Sequence, residues 1–342
     1  MKNSIYLLTG AAGLLGNSVA RQLLDKGENV RALVLNGDPA AENLPDGIEI
    51  MYGDLTDKSS LIKFFDVPED YDILVIHCAS LIAMAEEPSQ KVYDVNVNGT
   101  KNIVDLCIER KVKKLVHISS TGAICEKPHG TKITEPKTSA DLNPDAVRGY
   151  YSKTKAIATK YVLDTAAAAG LDASVIYPTG ICGPDDYAFG PTASVFIKYC
   201  KGEIPVGIEG SYNSVDVRDL AAGVISCVSK GRAGEGYIMG NEIVTMKELF
   251  KMLSKYSGAP FVSTYLSTAQ MIENMSESVP DGPDKEKIIS EFSFGMYNLA
   301  RNNCFDYSKA RAELDYKTRP FEETIRDEIE WLCNIGKISK KN

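Results

Sequence analysis

In the first half of the chain, short unbroken runs of Ile, Val and Leu alternate with longer segments whose apolar residues return every three or four positions. Unbroken runs suit strands buried on both faces, and the longer spacing suits helices that cover them. Strands are expected at 5–8, 30–35, 48–51, 73–77, 115–118 and 173–177, with helices at 14–26, 59–65, 92–110 and 151–169. The last helix runs into Ala166-Ala167-Ala168-Ala169-Gly170, strong helix formers followed by a glycine stop. Strand and helix in alternation predict a doubly wound α/β fold with a parallel sheet.

After Pro178 the rhythm breaks at Gly183-Pro184-Asp185-Asp186. Residues 215–221 look like a strand end entering a helix, with Asp219 as its expected cap, and further helices are expected at 246–256, 307–314 and 321–333. Residues 268–290, rich in Met, Ser, Glu, Asp and Pro, read as a loop. The expected division is a nucleotide-binding domain over 1–182 with segments around 213–240, and a smaller, interleaved substrate-binding region over 183–212 and 241–342.

Composition narrows the function classes. A net charge of −8 disfavours a nucleic-acid or membrane surface, and no run approaches the ~20 apolar residues of a spanning helix. The start of the chain has too short an apolar run for a signal peptide, and eight scattered cysteines without a Cys-x-x-Cys suit a reducing compartment, so a cytoplasmic location is expected. With three histidines and no close ligand spacing, no metal site is expected.

The candidate chemistry lies in three places. Thr9-Gly10-Ala11-Ala12-Gly13-Leu14-Leu15-Gly16 follows a strand and opens a helix. Such glycines bring bare backbone against a pyrophosphate at a helix N-terminus, which marks Gly10, Ala12, Gly13, Leu14 and Leu15 as dinucleotide-binding. Ser119-Ser120-Thr121 lies just past a strand end, where doubly wound folds place their sites. Tyr151 and Lys155 stand four apart on one helix face, where an ammonium lowers a phenol's pKa and makes it a usable acid or base. Tyr150 competes for the role, but its i+4 partner is the uncharged Thr154.

In this order and spacing, residues 3–240 resemble an extended short-chain dehydrogenase/reductase of the NAD-dependent epimerase/dehydratase superfamily, and the expected fold becomes its Rossmann sheet. The segments Val112–Ala123 and Val30–Val34 are most similar to dihydroflavonol-reductase and cinnamoyl-CoA-reductase members. The resemblance implies Ser120 (or Thr121) as the carbonyl-polarising hydroxyl, Tyr151 as proton donor and acceptor, and Lys155 as the holder of the nicotinamide ribose. It also implies Asp54 and Leu55 at the adenine, Ala79, Ser80, Pro178, Gly180 and Ile181 at the nicotinamide half, and Asn96 in a proton relay or as a packing residue. Helices 92–110 and 151–169 form a homodimer interface in many relatives.

One departure bears on the cofactor. Carbonyl reductases of this kind use NADPH, yet no Lys or Arg occurs from Ala32 through Asp57. A 2′-phosphate there has only Arg31 to call on, while Asn36 or Asp38 takes the place of the usual ribose-binding acid. The reading is NAD(H) or NADP(H), with NAD(H) favoured. The expected function is NAD(P)-dependent interconversion of a carbonyl and an alcohol on a small organic substrate, with a nucleotide-sugar epimerase holding NAD tightly as the alternative. Non-catalytic relatives typically lose the tyrosine that this chain keeps. His77 is expected to be a satisfied core histidine, and residues 81–87, 123–129 and 185–196 to wall the substrate pocket, with Met84, Tyr187 and Phe189 as apolar lining.

Overall fold

The computed structural model describes residues 3–84 and 86–340. The chain begins β1 (Asn3–Thr9), α1 (Leu14–Asp25), β2 (Asn29–Val34), β3 (Glu49–Tyr52) and β4 (Tyr71–His77). There follow α2 (Gln90–Tyr93), a π-helical turn (Asp94–Asn98), α3 (Gly99–Glu109), β5 (Lys114–Ile118), α4 (Tyr150–Ala169), β6 (Ala173–Pro178) and β7 (Gly180–Cys182). The second half runs α5 (Pro191–Lys201), β8 (Gly207–Ile208), β9 (Ser211–Asp216), α6 (Val217–Lys230), β10 (Gly236–Met239), β11 (Ile243–Thr245) and α7 (Met246–Ser257). It closes with β12 (Tyr265–Leu266), α8 (Thr268–Ser278), α9 (Lys285–Ala300), α10 (Ser308–Leu314) and α11 (Phe321–Asn334).

Among the described residues a seven-stranded sheet has the order β3-β2-β1-β4-β5-β6-β10, and every pairing in it is parallel. The order reverses between β1 and β4, and it is at such a reversal that doubly wound sheets open a crevice for ligands. One face is sealed by α1, α6 and α10, which bury Leu15, Val19, Leu23, Leu220, Val224 and Leu314. The other is sealed by α3 and α4 with Phe64 and Phe65. A separate core gathers α5, α7 and α11 around Phe196, Phe250, Phe321 and Trp331.

The expected strands and long helices are present, and the differences have local causes. The helix expected at 59–65 is a 3-10 turn over Lys58–Leu61, capped by Asp57. Helix 92–110 is interrupted by the π turn at Asp94–Asn98. Asp216, not Asp219, caps α6 by accepting from the Arg218 amide; Asp219 instead holds Arg319 at 2.7 Å. Most of the segment read as a loop at 268–290 lies in α8 and the first turns of α9. Ser267 and Gln270 make a capping box that starts α8, and this signal outweighs the polar composition.

Candidate active site

The glycine turn is shaped by backbone contact. Gly10 has φ +71°, and a Cβ there would lie 2.7 Å from the Ala79 amide nitrogen, so only glycine lets β1 pass this close to the end of β4. A Cβ on Gly16 would lie 2.0 Å from the Gly10 carbonyl oxygen, so the second glycine lets α1 rest on the turn. Gly13 caps α1 with no side-chain bond of its own, leaving the dipole end of the helix to bare backbone. Thr9 completes the corner: its hydroxyl accepts from the Ala79 amide at 3.2 Å and bonds His77 Nδ1 at 2.7 Å. His77, bonded also to Thr100 at 3.0 Å, is a core histidine as expected, and burial drops its pKa to about 3. Thr9 was not singled out from the sequence, because a threonine before a glycine turn carries no signal of its own.

Two strands along, the Ser119-Ser120-Thr121 run sorts itself by bonding. Ser119 bonds Thr159 at 2.6 Å inside the core, and Thr121 donates to the Pro178 carbonyl at 3.1 Å. Ser120, partly exposed, accepts from the Gly122 amide at 3.0 Å and lies beside the Tyr151 hydroxyl. Ser80, arriving from the end of β4, approaches the same phenol, yet its buried hydroxyl makes no well-formed hydrogen bond. Three hydroxyls therefore converge where β4, β5 and the start of α4 meet.

Lys155 is buried one turn further along α4 and donates to the Ile118 carbonyl at 2.6 Å. Burial lowers its pKa to about 8. The effect expected on Tyr151 is reversed: its pKa is raised, because burial of the phenol outweighs the neighbouring Ser80 and Ser120 hydroxyls. The lysine ammonium is turned to a backbone carbonyl and does not lead the titration of the tyrosine.

Asn96 sits in the π turn with its side chain fully engaged. It accepts from the Leu81 amide at 2.7 Å and donates to the Leu81 carbonyl and to Thr154, each at 3.0 Å. This bonding fits the packing role: Asn96 pins the 81–84 loop to α4, and the π turn aims it there.

Where the adenosine is expected, Asp54 accepts from the Thr56 amide at 2.8 Å, and Leu55 is buried against Gly99. Asn36 and the flanking Leu35 and Gly37 are exposed, whereas Asp38 is occupied capping the 3-10 turn that follows. Arg31 does not reach this end. It is buried, ion-paired to Glu49 at 2.8 Å, and donates to the Phe64 and Asp66 carbonyls at 3.1 and 2.8 Å. A guanidinium with three protein acceptors is a structural clamp, which corrects its expected place at the cofactor. Pro178, Gly180 and Ile181 lie at the β6–β7 junction, beside the buried and unpartnered hydroxyl of Thr179.

Tyr187 and Phe189 pack on Trp331, with ring centroids 5.5 and 6.1 Å away, and belong to the C-terminal core. Helix α9, missed in the sequence, comes nearer the site. Gly149, at φ +87°, leads directly into Tyr150 and Tyr151, and a Cβ on it would fall 2.3 Å from the Phe294 ring. Ser290 donates to Glu87 at 2.9 Å, Tyr297 donates to Glu126, and Arg148 stacks on Tyr297 while pairing with Glu86 at 2.5 Å. The recurring Ile288, Ile289, Phe292, Met296 and Tyr297 spelled an amphipathic helix. A cavity of about 500 Å³ lined by His129, Glu209, Thr268, Arg301 and Asn303 includes none of Ser120, Tyr151 or Lys155.

Residues 6–240 match the family described as "NAD dependent epimerase/dehydratase family". The chain belongs to that family. It is 30% identical over 336 residues to sterol demethylase protein B of Methylococcus capsulatus, covering 97% of this chain and 99% of that protein. To cinnamoyl-CoA reductase 2 of Arabidopsis thaliana it is 27% identical, over 74% of this chain and 77% of that one. Its fold matches UDP-glucose 4-epimerase of Thermotoga maritima with a TM-score of 0.76 at 20% identity, over 97% and 99% of the two chains. The protein is an NAD(P)-dependent enzyme of the extended short-chain dehydrogenase/reductase type. Among its described residues no helix is long and apolar enough to cross a membrane.

Proposed function

We propose that this enzyme interconverts an alcohol and its ketone or aldehyde with NAD(H), Tyr151 carrying the proton. The observation that supports this best is the convergence of the Ser120 and Tyr151 hydroxyls beside the buried Lys155. NAD(H), when bound, supplies or takes the hydride. The cradle fits it: at Gly10 and Gly16 a Cβ would collide with backbone, so Gly10, Ala12, Gly13, Leu14 and Leu15 would offer the pyrophosphate bare backbone and a helix N-terminus. Asn36, Asp54 and Leu55 would hold the adenosine, and Ala79, Ser80, Pro178, Gly180 and Ile181 the nicotinamide half. Lys155 would hold the adjoining ribose hydroxyls.

In the reducing direction Ser120 donates a hydrogen bond to the carbonyl oxygen, and Tyr151 delivers its proton there as negative charge develops. The raised pKa keeps that proton in place at neutral pH. In the oxidising direction the phenol must first ionise, and the Lys155 cation is the group placed to assist. The commitment of Arg31 to Glu49 and two carbonyls supports NAD(H) over NADP(H), since residues 35–37 present no cation to a 2′-phosphate. An epimerase keeps its cofactor through turnover, so tight retention of NAD through purification would favour that alternative.

The test is Tyr151→Phe, assayed by NADH consumption against a panel of aromatic and alicyclic ketones. Turnover should fall by ~10³-fold with NADH affinity unchanged. A variant that matches the wild type on a substrate the wild type reduces would overturn the assignment.

A further inference from the structure

Helix α4 starts without the usual devices. Its cap residue is Gly149, which offers the first amides no side chain, and Tyr150-Tyr151-Ser152-Lys153 puts no acid in the first turn. By contrast, α7 and α8 open on capping boxes, Thr245 with Glu248 and Ser267 with Gln270. An uncapped helix end frays unless tertiary packing holds it. Fraying matters here because Tyr151 lies in that first turn, where its phenol meets Ser80 and Ser120. The turn closes through the Lys153 amide, which donates to the Gly149 carbonyl at 3.1 Å, so it is only as fixed as Gly149. The Lys153 ion pair to Asp145 adds little, since both side chains are exposed. Asn96 pins Thr154, one turn too late to hold Tyr151.

Gly149 is held by Phe294. That ring is 4% exposed, yet it belongs to none of the apolar cores formed by the described residues. Within α9 it alone is buried. A Cβ on Gly149 would fall 2.3 and 2.4 Å from its Cζ and Cε2, so the rim of the ring rests on bare glycine Cα. Tyr297, one turn on, lies nearly parallel at 6.0 Å and 26°, and the Arg148 guanidinium sits 4.3 Å above it. The two residues before Tyr150 are thus seated on two rings of α9. Holding α9 itself does not require this contact, because Leu299 packs against Gly210 and the C-terminal core.

We propose that Phe294 is a positioning residue for Tyr151: seated in the notch at Gly149, it stands in for the missing cap and keeps the first turn of α4 from fraying, so that the phenol stays against Ser120. The turnover half of this rests on the alcohol–carbonyl reading, whereas the stiffness of the turn is measured without it.

The experiment compares the full-length wild type with Phe294→Ala, Phe294→Leu and Leu299→Ala, the last a control that loosens α9 away from Gly149. Amide hydrogen exchange across 149–154, followed by mass spectrometry, should quicken by ~10-fold or more in Phe294→Ala, by less in Phe294→Leu, and not at all in Leu299→Ala. Turnover is followed as NADH-dependent reduction of the ketone panel, acetophenone and cyclohexanone first. In Phe294→Ala kcat should fall by ~30-fold or more while KM and NADH affinity hold, because a misplaced acid slows the reaction without weakening binding. The solvent isotope effect on kcat should rise as well, since proton delivery then limits turnover, and Phe294→Leu should recover part of both losses. Leu299→Ala should lower the melting temperature and leave kcat and the isotope effect alone. NADH titration checks that each variant folds; should Phe294→Ala fail it, Phe294→Leu carries the comparison. Unchanged exchange across 149–154 in the Phe294 variants, a fall in kcat without a rise in the isotope effect, or the same fall in Leu299→Ala would each overturn the proposal. A wild type that reduces no ketone of the panel would count against the oxidoreductase reading instead, and exchange alone would then decide whether Phe294 holds the turn.

Discussion

Replacing Gly16 by alanine sets two known effects against each other. In a helix interior, alanine is favoured over glycine by ~1 kcal/mol, so propensity alone predicts a more stable protein. The structure reverses the sign. Ordinary contact begins near 3.4 Å, whereas the new methyl would start 2.0 Å from the Gly10 carbonyl oxygen and 2.8 Å from Ala11 Cα. Both neighbours are backbone, so no side chain can rotate away, and α1 must retreat from the turn by more than an ångström. Overpacking of this kind costs ~1–3 kcal/mol, which after the propensity gain leaves a net loss of up to ~2 kcal/mol and a melting temperature lower by up to a few degrees. The retreat also withdraws the helix N-terminus from the pyrophosphate, and NADH affinity should fall by ~30-fold or more, equivalent to about 2 kcal/mol. Fluorescence titration and thermal melting would be run beside Gly13→Ala, whose methyl meets nothing nearer than 3.4 Å, and Gly27→Ala, which shares the positive φ of Gly10 in open space. Gly13→Ala should melt like the wild type, and Gly27→Ala should lose stability without losing NADH. A Gly16→Ala enzyme that binds NADH within threefold of wild type and melts no lower would show that the turn does not act as the cradle described.

Three further outcomes follow. Reduction should stay flat through neutral pH, because the Tyr151 pKa is raised and the proton to be donated is held; oxidation should climb with pH and bend near 8, where Lys155 loses its charge. Loss of reduction with an apparent pKa below 7 would contradict this. NADH should bind at least ~10-fold more tightly than NADPH, and Arg31→Met should lower the melting temperature while leaving that ratio alone, because the residue clamps Glu49 and two carbonyls; a selective loss of NADPH binding would return Arg31 to the cofactor. Glu328, buried and accepting from the Gly183 amide at 2.9 Å, has its pKa raised well above the usual value by desolvation. Its folded form binds the proton more tightly than its unfolded form, so stability is full below about 4.5 and declines as pH rises from there toward the folded pKa. Glu328→Gln should therefore raise the melting temperature at pH 7 by ~2 °C or more and match wild type near pH 4, with circular dichroism as the readout.

What could be read in advance divides along physical lines. Buried parallel strands announce themselves by unbroken apolar runs, and the turn from Gly10 to Gly16 by backbone demands that only glycine meets, so the sheet and the glycine turn were legible. Tyr151 and Lys155 shared a face by simple helical spacing. Their electrostatics were not legible, because the balance between a buried phenol and the ammonium one turn on depends on which carbonyl Lys155 turns to, and that carbonyl belongs to Ile118 on another element. Arg31 misled for a related reason. Its acceptors, Glu49, Phe64 and Asp66, are brought together only by the sheet register and the turn beyond β3. The segment 268–290 failed on composition: polar residues suggested a loop, while Ser267 and Gln270 already marked a helix start.

The position of β10 matters for how the polypeptide is made. β6 is buried along its whole length, and one flank is supplied by Gly236–Met239, synthesised only after β7, α5, β8, β9 and α6 have emerged. At ordinary rates of translation that leaves on the order of several seconds during which the nascent chain holds an apolar strand with an open edge. A gene fragment that stops at Cys182 would keep that edge open permanently, and its product should aggregate even though it contains Ser120, Tyr151 and Lys155.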